Sequence, residues 1–205
     1  LVGEDGATHQ GVFDMAYLRC IPNIIIAAPL NEIELRNLMY TAQLTTTGPF
    51  AIRYPRGRGV TENWQVPFKK MKIGQGESIS QGKNLAIISI GHVGNMIIEI
   101  TNELKLEGIE IGHFNMRFLK PLDNDLLHTV FKQYQYIITV EDGSLMGGLG
   151  SAILEFSADN QHHNKIIRFG VPDSFIEHGS QDEQQKECGF DKTSILKKVK
   201  DLLQI

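Results

Sequence analysis

The sequence predicts an α/β protein in which parallel strands alternate with helices. Short apolar runs such as IIIAA (24–28), LAIISIG (85–91) and YIITVED (136–142) are typical of strands that are buried on both faces of a sheet. Apolar residues at helical spacing lie between these runs. Glycines and prolines stand where the segments change, as they do in the loops between such elements.

The first unit comprises residues 1–57 and has the pattern helix, strand, helix, strand. Thr8 is a candidate cap for the first helix, which ends before Pro22. Strands are predicted at 24–28 and at FAIRY (50–54), so this unit is half of a parallel α/β layer without its first strands. The apolar helical positions are Phe13, Ala16, Tyr17 and Cys20 in the first helix, and Leu35, Leu38, Met39 and Ala42 in the second.

A polar, glycine-rich stretch follows, and we assign residues 58–84 as an ordered linker. Within it, FKKMKIG (68–74) alternates weakly and is a candidate edge strand or hairpin. Residues 85–205 form the second unit, in which alternating strands and helices predict a mostly parallel sheet covered on both faces. The predicted strands are 85–91, 109–118, 136–142 and 165–171, and the predicted helices contain 93–104, 126–130, 147–159 and 195–203.

The composition is that of an ordinary globular protein, with 41% hydrophobic and 21% charged residues in a chain of 205. The formal net charge of -4 and the lack of a basic stripe argue against nucleic-acid binding. No apolar run reaches the roughly 18 residues of a membrane span. Cys20 and Cys188 lie far apart and in no metal-binding spacing, so we expect two free thiols in a reducing compartment, the cytoplasm.

The chain begins with Leu1 and Val2, which have the character of the end of a buried strand. It shows neither an initiator methionine nor the regions of a signal peptide. We therefore expect a piece of a longer protein, because domain boundaries usually fall in polar linkers. The alternative is a chain that starts at a natural boundary.

The segment GEDGATHQG (3–11) holds the first candidate site residues, Asp5 and His9. Histidine exchanges protons near neutral pH, and a nearby carboxylate can orient its ring. The loop follows a presumed parallel strand, at the end of the sheet where ligands bind in open α/β folds. The alternative is an aspartate that caps a turn and a histidine that packs locally, and residue types alone favour it.

The segment RYPRG (53–57) holds a second candidate, because two arginines flank a proline at a strand end. Arginine forks bind phosphate and carboxylate groups, and Pro55 directs Arg56 away from the strand. Arg53 falls on the strand itself. The alternative for each arginine is a solvated surface side chain.

Further polar segments give weaker indications. The glycine loop in EDGSLMGGLGSA (141–152) matches no nucleotide-binding motif, and close helix–strand packing is its favoured interpretation. His92 is interpreted as a cap or a solvent-facing side chain, and His162 and His163 as surface residues. His178 has no assigned role.

GEDGATHQGVFDMAYLRCIPN and GPFAIRYPRG resemble the 1-deoxy-D-xylulose-5-phosphate synthases, which are thiamine-diphosphate enzymes of the transketolase superfamily. RFLKPLD, TVEDGSLMGGLGSAILEF and GVPDSFIEHGS resemble the C-terminal domain of the same enzymes. The resemblance covers all 205 residues and implies about the last third of such a chain. It implies that 1–57 is the C-terminal half of a pyrimidine-binding domain and that 85–205 is a transketolase C-terminal-like domain.

The motifs differ in how closely they define the family. The D-G-x-T-H-Q core is shared with transketolases, which usually carry proline where this chain has Gly11 and lack a match to RYPRG. The β-subunits of 2-oxo acid dehydrogenases share the layout but fit the motifs less well.

The resemblance also implies roles for site residues. His9 matches an active-site histidine near the reacting carbon, and Asp5 matches an aspartate on the substrate side of the site. Arg56 matches an arginine that binds the phosphate of glyceraldehyde 3-phosphate. No family role carries over to Arg53.

By the same resemblance, the complete enzyme joins pyruvate to glyceraldehyde 3-phosphate with loss of CO2, for isoprenoid, thiamine and pyridoxal biosynthesis. It uses thiamine diphosphate and Mg²⁺ and forms a homodimer in the cytoplasm. This chain alone is expected to bind no cofactor and to be inactive, because the family's cofactor-binding domain is missing from it. The alternatives are a C-terminal subunit of a split transketolase, a 2-oxo acid dehydrogenase β-type subunit and a non-catalytic dimerisation module.

Overall fold

The computed structural model describes residues 1–44 and 48–205. The helices are α1 (Asp14–Arg19), α2 (Glu32–Leu44), α3 (Val93–Leu106), α4 (Asn124–Gln133), α5 (Leu149–Asp159), α6 (Gln181–Glu187) and α7 (Lys192–Leu203). The strands are β1 (Ile25–Ala27), β2 (Phe50–Ile52), β3 (Glu77–Ser80), β4 (Leu85–Ile90), β5 (Gly112–Asn115), β6 (Phe118–Lys120), β7 (Tyr136–Ser144) and β8 (Lys165–Val171). Across the described residues, no helix combines the length and apolarity that a membrane span requires.

The larger sheet has the strand order β3-β5-β4-β7-β8. Strands β5, β4, β7 and β8 are parallel, and β3 joins β5 at one edge in antiparallel fashion. All six residues of β4 are buried, because helices cover both faces. Ile88 packs on the side of α4 and α5, and Ile87 packs on the side of α3 and α7. The prediction of a mostly parallel sheet covered on both faces is confirmed.

The smaller sheet has the order β2-β1-β6 and draws strands from both units. Strands β1 and β2 are parallel, as predicted, whereas β6 runs antiparallel to β1. The prediction of one strand over 109–118 is therefore wrong. Strand β5 ends at Asn115, and Arg117 adopts a left-handed conformation (φ 60°) before β6 begins in the other sheet.

A buried ion pair explains why the chain turns at Arg117. The Arg117 Nε–H donates to Glu34 Oε1 at 2.7 Å, and its Nη2 lies 2.6 Å from Glu77 Oε2. Glu34 also accepts from the Leu30 backbone N–H at 2.7 Å and from the Asn115 side-chain amide at 3.0 Å. A buried carboxylate requires such partners. The contacts join α2 of the first unit to β3, which lies within 58–84, and to β5 of the second unit.

The stretch that joins the two sheets packs along α2. Side chains of α2 accept hydrogen bonds from the backbone N–H groups of this stretch. Glu32 accepts from the backbone N–H groups of Val60 and Thr61, Asn37 accepts from that of Lys69 and Thr41 accepts from that of Met71. These bonds satisfy backbone groups that have no strand partner. The division into 1–57, 58–84 and 85–205 stays a prediction. Strand β3 lies inside the predicted linker 58–84, and β6, from the predicted second unit, completes the smaller sheet.

Two local predictions differ from the structure, and one helix was not predicted. Residues 68–74 form no strand, and the edge strand β3 lies at 77–80 instead. Thr8 caps no helix, because α1 begins only at Asp14 and the Thr8 hydroxyl lies beside His9. Helix α6 was not anticipated, since its sequence QDEQQKE contains no apolar residue. Its signal was the capping box formed by Ser180 and Glu183.

Both cysteines are free thiols in the described part of the chain, as predicted. Cys20 is exposed and Cys188 is partly buried. Burial raises the pKa of the Cys188 thiol to about 11. Cys188 is therefore protonated at neutral pH and is a weak nucleophile.

A histidine is fully buried in the larger sheet. His113 on β5 has its Nε2 2.8 Å from the Ser89 hydroxyl on β4, and its Nδ1 has no hydrogen-bond partner among the described residues. Burial lowers the pKa of His113 from 6.5 to about 4. The ring is thus neutral in the folded protein at pH values where an unfolded chain already carries the proton.

Replacing Arg117 by alanine should destabilise the protein by about 3 kcal/mol, because it leaves the buried Glu34 carboxylate without its cation. The measurement is the urea-unfolding midpoint. Lys192→Ala is the control, since it breaks only exposed ion pairs with Glu99 and Glu103 and should leave the midpoint nearly unchanged. Equal midpoints for the two variants would contradict the prediction.

The burial of His113 also predicts a pH dependence of stability. Its folded pKa of about 4 lies below the unfolded value of 6.5, so the unfolded chain binds the extra proton and stability falls as the pH drops from 6.5 towards 4. The slope contributed by one such group is at most about 1.4 kcal/mol per pH unit. His113→Gln should remove this contribution, as measured by urea unfolding at several pH values.

The quantity to compare is the difference in free energy of unfolding between the unmodified protein and His113→Gln at each pH. Glu141, whose pKa burial raises from 4.5 to about 7, acts in the opposite direction, since its contribution is lost as the pH rises through about 7. This contribution is common to both proteins and cancels in the difference. A difference that does not change between pH 6.5 and pH 4 would refute the role of His113.

Candidate active site

The loop at residues 3–11 folds as consecutive turns. The Gly6 backbone N–H donates to Gly3 O at 3.1 Å, and the His9 backbone N–H donates to Gly6 O at 3.0 Å. Gly3 and Gly6 have φ values of 81° and 68°, which other residues rarely adopt. A Cβ atom at Gly6 would lie 2.7 Å from the ring of His178. The positive φ of Gly6 therefore favours glycine at this position.

Asp5 and Arg56 meet as an ion pair between Asp5 Oδ2 and Arg56 Nη1. Arg56 Nη1 also donates to Val2 O at 3.3 Å. The side chains of Arg56 and Asp5 are 57% and 40% exposed, so the pair remains open to a ligand. Strand β2 ends four residues before Arg56, and the strand end is thereby joined to the loop.

His9 lies apart from this pair. Its side chain is exposed, and its Nδ1 is 2.9 Å from the Thr8 hydroxyl. The sequence led us to expect a carboxylate that orients this ring, but the structure brings Asp5 to Arg56 instead. The turn from Gly6 to His9 leaves the histidine ring accessible on the loop, where it can exchange a proton with a ligand.

Arg53 connects the segments around the site through contacts of its guanidinium group. Its Nη2 donates to Gly11 O at 3.3 Å, and its Nε lies 3.6 Å from Asp14 Oδ2. Its Nη2 also lies 3.8 Å from Asp142 Oδ2 on β7. Arg53 is thus mostly buried and connects the loop, α1 and the larger sheet, so it is not a solvated surface side chain.

Asp142 was not anticipated from the sequence. It is 3% exposed, and one of its carboxylate oxygens lies 3.6 Å from His92 Nε2. It also accepts from the nitrogen of Leu1 at 2.7 Å. Burial lowers the pKa of His92, although Asp142 acts in the opposite direction. Only the position of Asp142 at the end of an apolar run could have indicated it.

The neighbouring Glu141 occupies the N-terminus of α5. Its carboxylate accepts from the backbone N–H groups of Leu149 and Gly150 at 2.7 and 2.8 Å. A Cβ atom at Gly148 would collide with this carboxylate. The glycine loop therefore serves close helix–strand packing, as predicted, and the Glu141 carboxyl group occupies the position at which an external anion could bind.

The remaining histidines lie in different surroundings. His92 is the N-terminal boundary residue of α3, but its side chain forms no capping hydrogen bond. His163 is exposed, as predicted. His162 is only partly exposed, because its ring stacks on Phe131 with centroids 4.6 Å apart. His178 packs against Gly6, a contact that the sequence did not indicate.

Two cavities flank Arg56. The larger, about 450 Å³, lies between the two units and is lined by residues that include Tyr54, Arg58 and His92. The smaller, about 200 Å³, is lined by residues that include Arg53 and Asp142. Because Arg56 lines both, it is accessible from either side.

The described residues do not fit a metal-bound diphosphate. Within 1–44 and 48–205, no three His, Cys, Asp or Glu side chains converge as metal ligands. The helix N-terminus at Leu149, which could hold an anionic group, is filled by Glu141. We therefore derive no step through a metal or a diphosphate from this chain.

Comparison with known proteins identifies the family. The family described as transketolase, C-terminal domain, matches residues 74–195, and that described as transketolase, pyrimidine binding domain, matches residues 1–60. The chain belongs to the transketolase family. The prediction of a partial pyrimidine-binding domain followed by a transketolase C-terminal-like domain is confirmed as a fold.

Curated relatives give a finer likeness. A protein of Cytophaga hutchinsonii named 1-deoxy-D-xylulose-5-phosphate synthase is 56% identical over 201 residues, which are 98% of this chain and 32% of that protein. The protein of the same name from Aquifex aeolicus is 44% identical over 207 residues, covering 100% and 32% of the two chains. The resemblance inferred from the motifs is confirmed. The chain spans about a third of the length of these relatives.

Solved structures agree on the fold. A split-gene transketolase, described as an inactive β4 tetramer, has a TM-score of 0.82 and 27% identity, covering 97% of this chain and 63% of that one. A transketolase variant from Pichia stipitis has a TM-score of 0.72 at 19% identity, covering 98% and 28%. The second likeness shows the fold alone.

Proposed function

We propose that this chain is part of a thiamine-diphosphate-dependent transferase that condenses pyruvate with D-glyceraldehyde 3-phosphate to 1-deoxy-D-xylulose 5-phosphate and CO2. One observation carries the proposal: the Asp5–Arg56 ion pair places an exposed arginine next to the loop that holds His9. The name of the relatives at 44–56% identity supports the same reaction.

Arg56 is the proposed phosphate-binding residue. In the described part of the chain, its contacts to Asp5 and Val2 are made by Nη1, which leaves the N–H groups on Nη2 and Nε for a ligand. Arginine binds phosphate through two parallel hydrogen bonds of this kind. Asp5 holds the guanidinium on the loop side and so fixes the direction of the remaining donors.

His9 is the proposed acid–base residue, and Asp5 is proposed to contribute to the site by its ion pair with Arg56. Addition to the aldehyde leaves a negative charge on oxygen, and a positioned histidine can donate a proton to it. The exposed ring of His9 can reach a substrate that Arg56 anchors by its phosphate.

Thiamine diphosphate, when bound with Mg²⁺ in the complete protein, supplies the electron sink for decarboxylation of pyruvate. This chain is proposed to lack cofactor binding and turnover by itself, since it spans about a third of the length of the synthase relatives. We further propose a homodimer in the cytoplasm. Exposed apolar side chains at the start of α1, on α1 and after β8 support a dimer contact, namely Phe13, Tyr17 and Phe175.

A second candidate function is a C-terminal subunit of a split transketolase. The TM-score of 0.82 with the split-gene protein favours it, although its 27% identity is well below the 56% of the synthase relative. No specific contact or likeness favours a 2-oxo acid dehydrogenase β-type subunit or a non-catalytic dimerisation module.

The proposed function is tested by assaying the complete protein that contains this chain for 1-deoxy-D-xylulose 5-phosphate formation. We expect activity with thiamine diphosphate and Mg²⁺, and none from residues 1–205 alone. His9→Ala in the complete protein should lower kcat about tenfold or more. His163→Ala removes an exposed histidine on the turn after α5 and is the control.

The outcomes separate the candidates. Ketol transfer between sugar phosphates, with intact mass showing a separate N-terminal chain, would favour the split transketolase. Product formation by residues 1–205 alone would overturn the proposal of an inactive piece. Unchanged kcat in His9→Ala would remove His9 from the mechanism.

Arg56→Ala should chiefly raise the KM for glyceraldehyde 3-phosphate, by about tenfold or more for a lost charged hydrogen bond. Its effect on the pyruvate KM should be small. Steady-state kinetics with each substrate varied provides the measurement, and Lys105→Ala, which removes an exposed cation on α3, controls for loss of charge. A defect confined to the pyruvate step would argue against the assignment.

A further inference from the structure

Helix α6 of the second unit is bonded to the loop 3–11 of the first. The buried Gln184 side chain, 1% exposed, accepts from the Gly3 backbone N–H at 3.1 Å and donates to Gly3 O at 2.9 Å. Its amide also donates to Glu177 O at 2.8 Å. One amide therefore satisfies both backbone groups of Gly3, as a neighbouring strand would.

Gln181 on the same helix joins the two segments that carry the site. Its side-chain amide donates to Leu1 O at 3.0 Å and to Arg56 O at 3.1 Å. Leu1 precedes the loop that holds Asp5, and Arg56 carries the guanidinium that pairs with Asp5. A single side chain thus sets the distance between the loop and the strand end.

The orientation of the two glutamines is fixed by local structure. The Ser180–Glu183 capping box defines the first turn of α6, and residues 181 and 184 lie three positions apart on one face of the helix. Next to them, His178 packs on Gly6, and Gly179 O is 3.4 Å from where a Gly3 Cβ would stand. The segment 178–184 therefore contacts the loop at several points.

We propose that Gln181 and Gln184 are positioning residues. Through them the second unit holds the Asp5 loop and Arg56 at the spacing that binds the phosphorylated aldehyde. The catalytic part of this inference rests on the proposed function. The sequence offers no candidate catalytic residue in the second unit, and these glutamines give that unit a role in the site.

Amide hydrogen exchange tests the positioning independently of any activity. The probes are the backbone amides of Gly6 and His9, which bond within the loop and not to the glutamines. Gln181→Ala or Gln184→Ala should speed their exchange about fivefold, the effect expected for one lost hydrogen bond. Gln185→Ala, a matched change on the same helix, should not.

If Gln184→Ala fails to fold, the less buried Gln181→Ala decides the outcome. Unchanged exchange at Gly6 and His9 in the folded variant would overturn the proposal, because the loop would then be held without α6. Faster exchange throughout the protein, in α6 and the loop alike, would also overturn it, since it would indicate a general loss of stability.

Kinetics of the complete protein test the catalytic part. Gln181→Ala should raise the KM for glyceraldehyde 3-phosphate about fivefold and leave that for unphosphorylated glyceraldehyde unchanged. Gln181→Glu, which keeps the size but cannot donate to Leu1 O and Arg56 O, should show the same defect. An unchanged KM for the phosphorylated aldehyde would overturn the catalytic role. If the unmodified complete protein forms no product, the proposed function fails while the exchange result still decides the positioning.

Discussion

The arrangement of the two units depends on one buried ion pair, between Glu34 of α2 and Arg117. A buried carboxylate without a cation is costly, and the left-handed conformation of Arg117 brings its guanidinium to Glu34. The turn at Arg117 ends β5 and sends β6 into the other sheet, beside β1. The two units therefore share a sheet as well as an ion pair, and these contacts define how the units pack against each other.

The candidate site lies on this joint surface. Asp5 comes from the first loop, Arg56 follows a strand of the smaller sheet, and Gln181 of the second unit donates to Leu1 O and Arg56 O. Arg53 and the buried Asp142 contact each other and line the smaller cavity beside Arg56. An exposed arginine held by a carboxylate is suited to a dianionic ligand, because part of its fork stays available. Phosphate binding at the place where the units meet is what we propose for Arg56, and His9 is exposed on the same loop as Asp5.

Most of the larger sheet was predictable because β4 and the first half of β7 are mainly apolar runs, which are typical of a strand covered on both faces. The edge strand β3 was missed, since its sequence ESIS is polar and half exposed. The break at Arg117 was also unpredictable, because its cause is a carboxylate 83 residues away in the sequence. In the site, Asp5, His9 and Arg56 were named from motifs, whereas Asp142 and the α6 glutamines carry no local pattern of their own.

By itself, the sequence determined the α/β class, the order of the main helices and strands, and the family, because hydrophobic periodicity and short motifs are local properties of the chain. Only the tertiary structure decided which side chains meet. Asp5 pairs with Arg56 and not with His9, and Gln184 bonds to Gly3 across 181 residues. Such polar contacts depend on how distant segments pack against each other. The residues next to either partner in the sequence do not indicate which side chain it will meet.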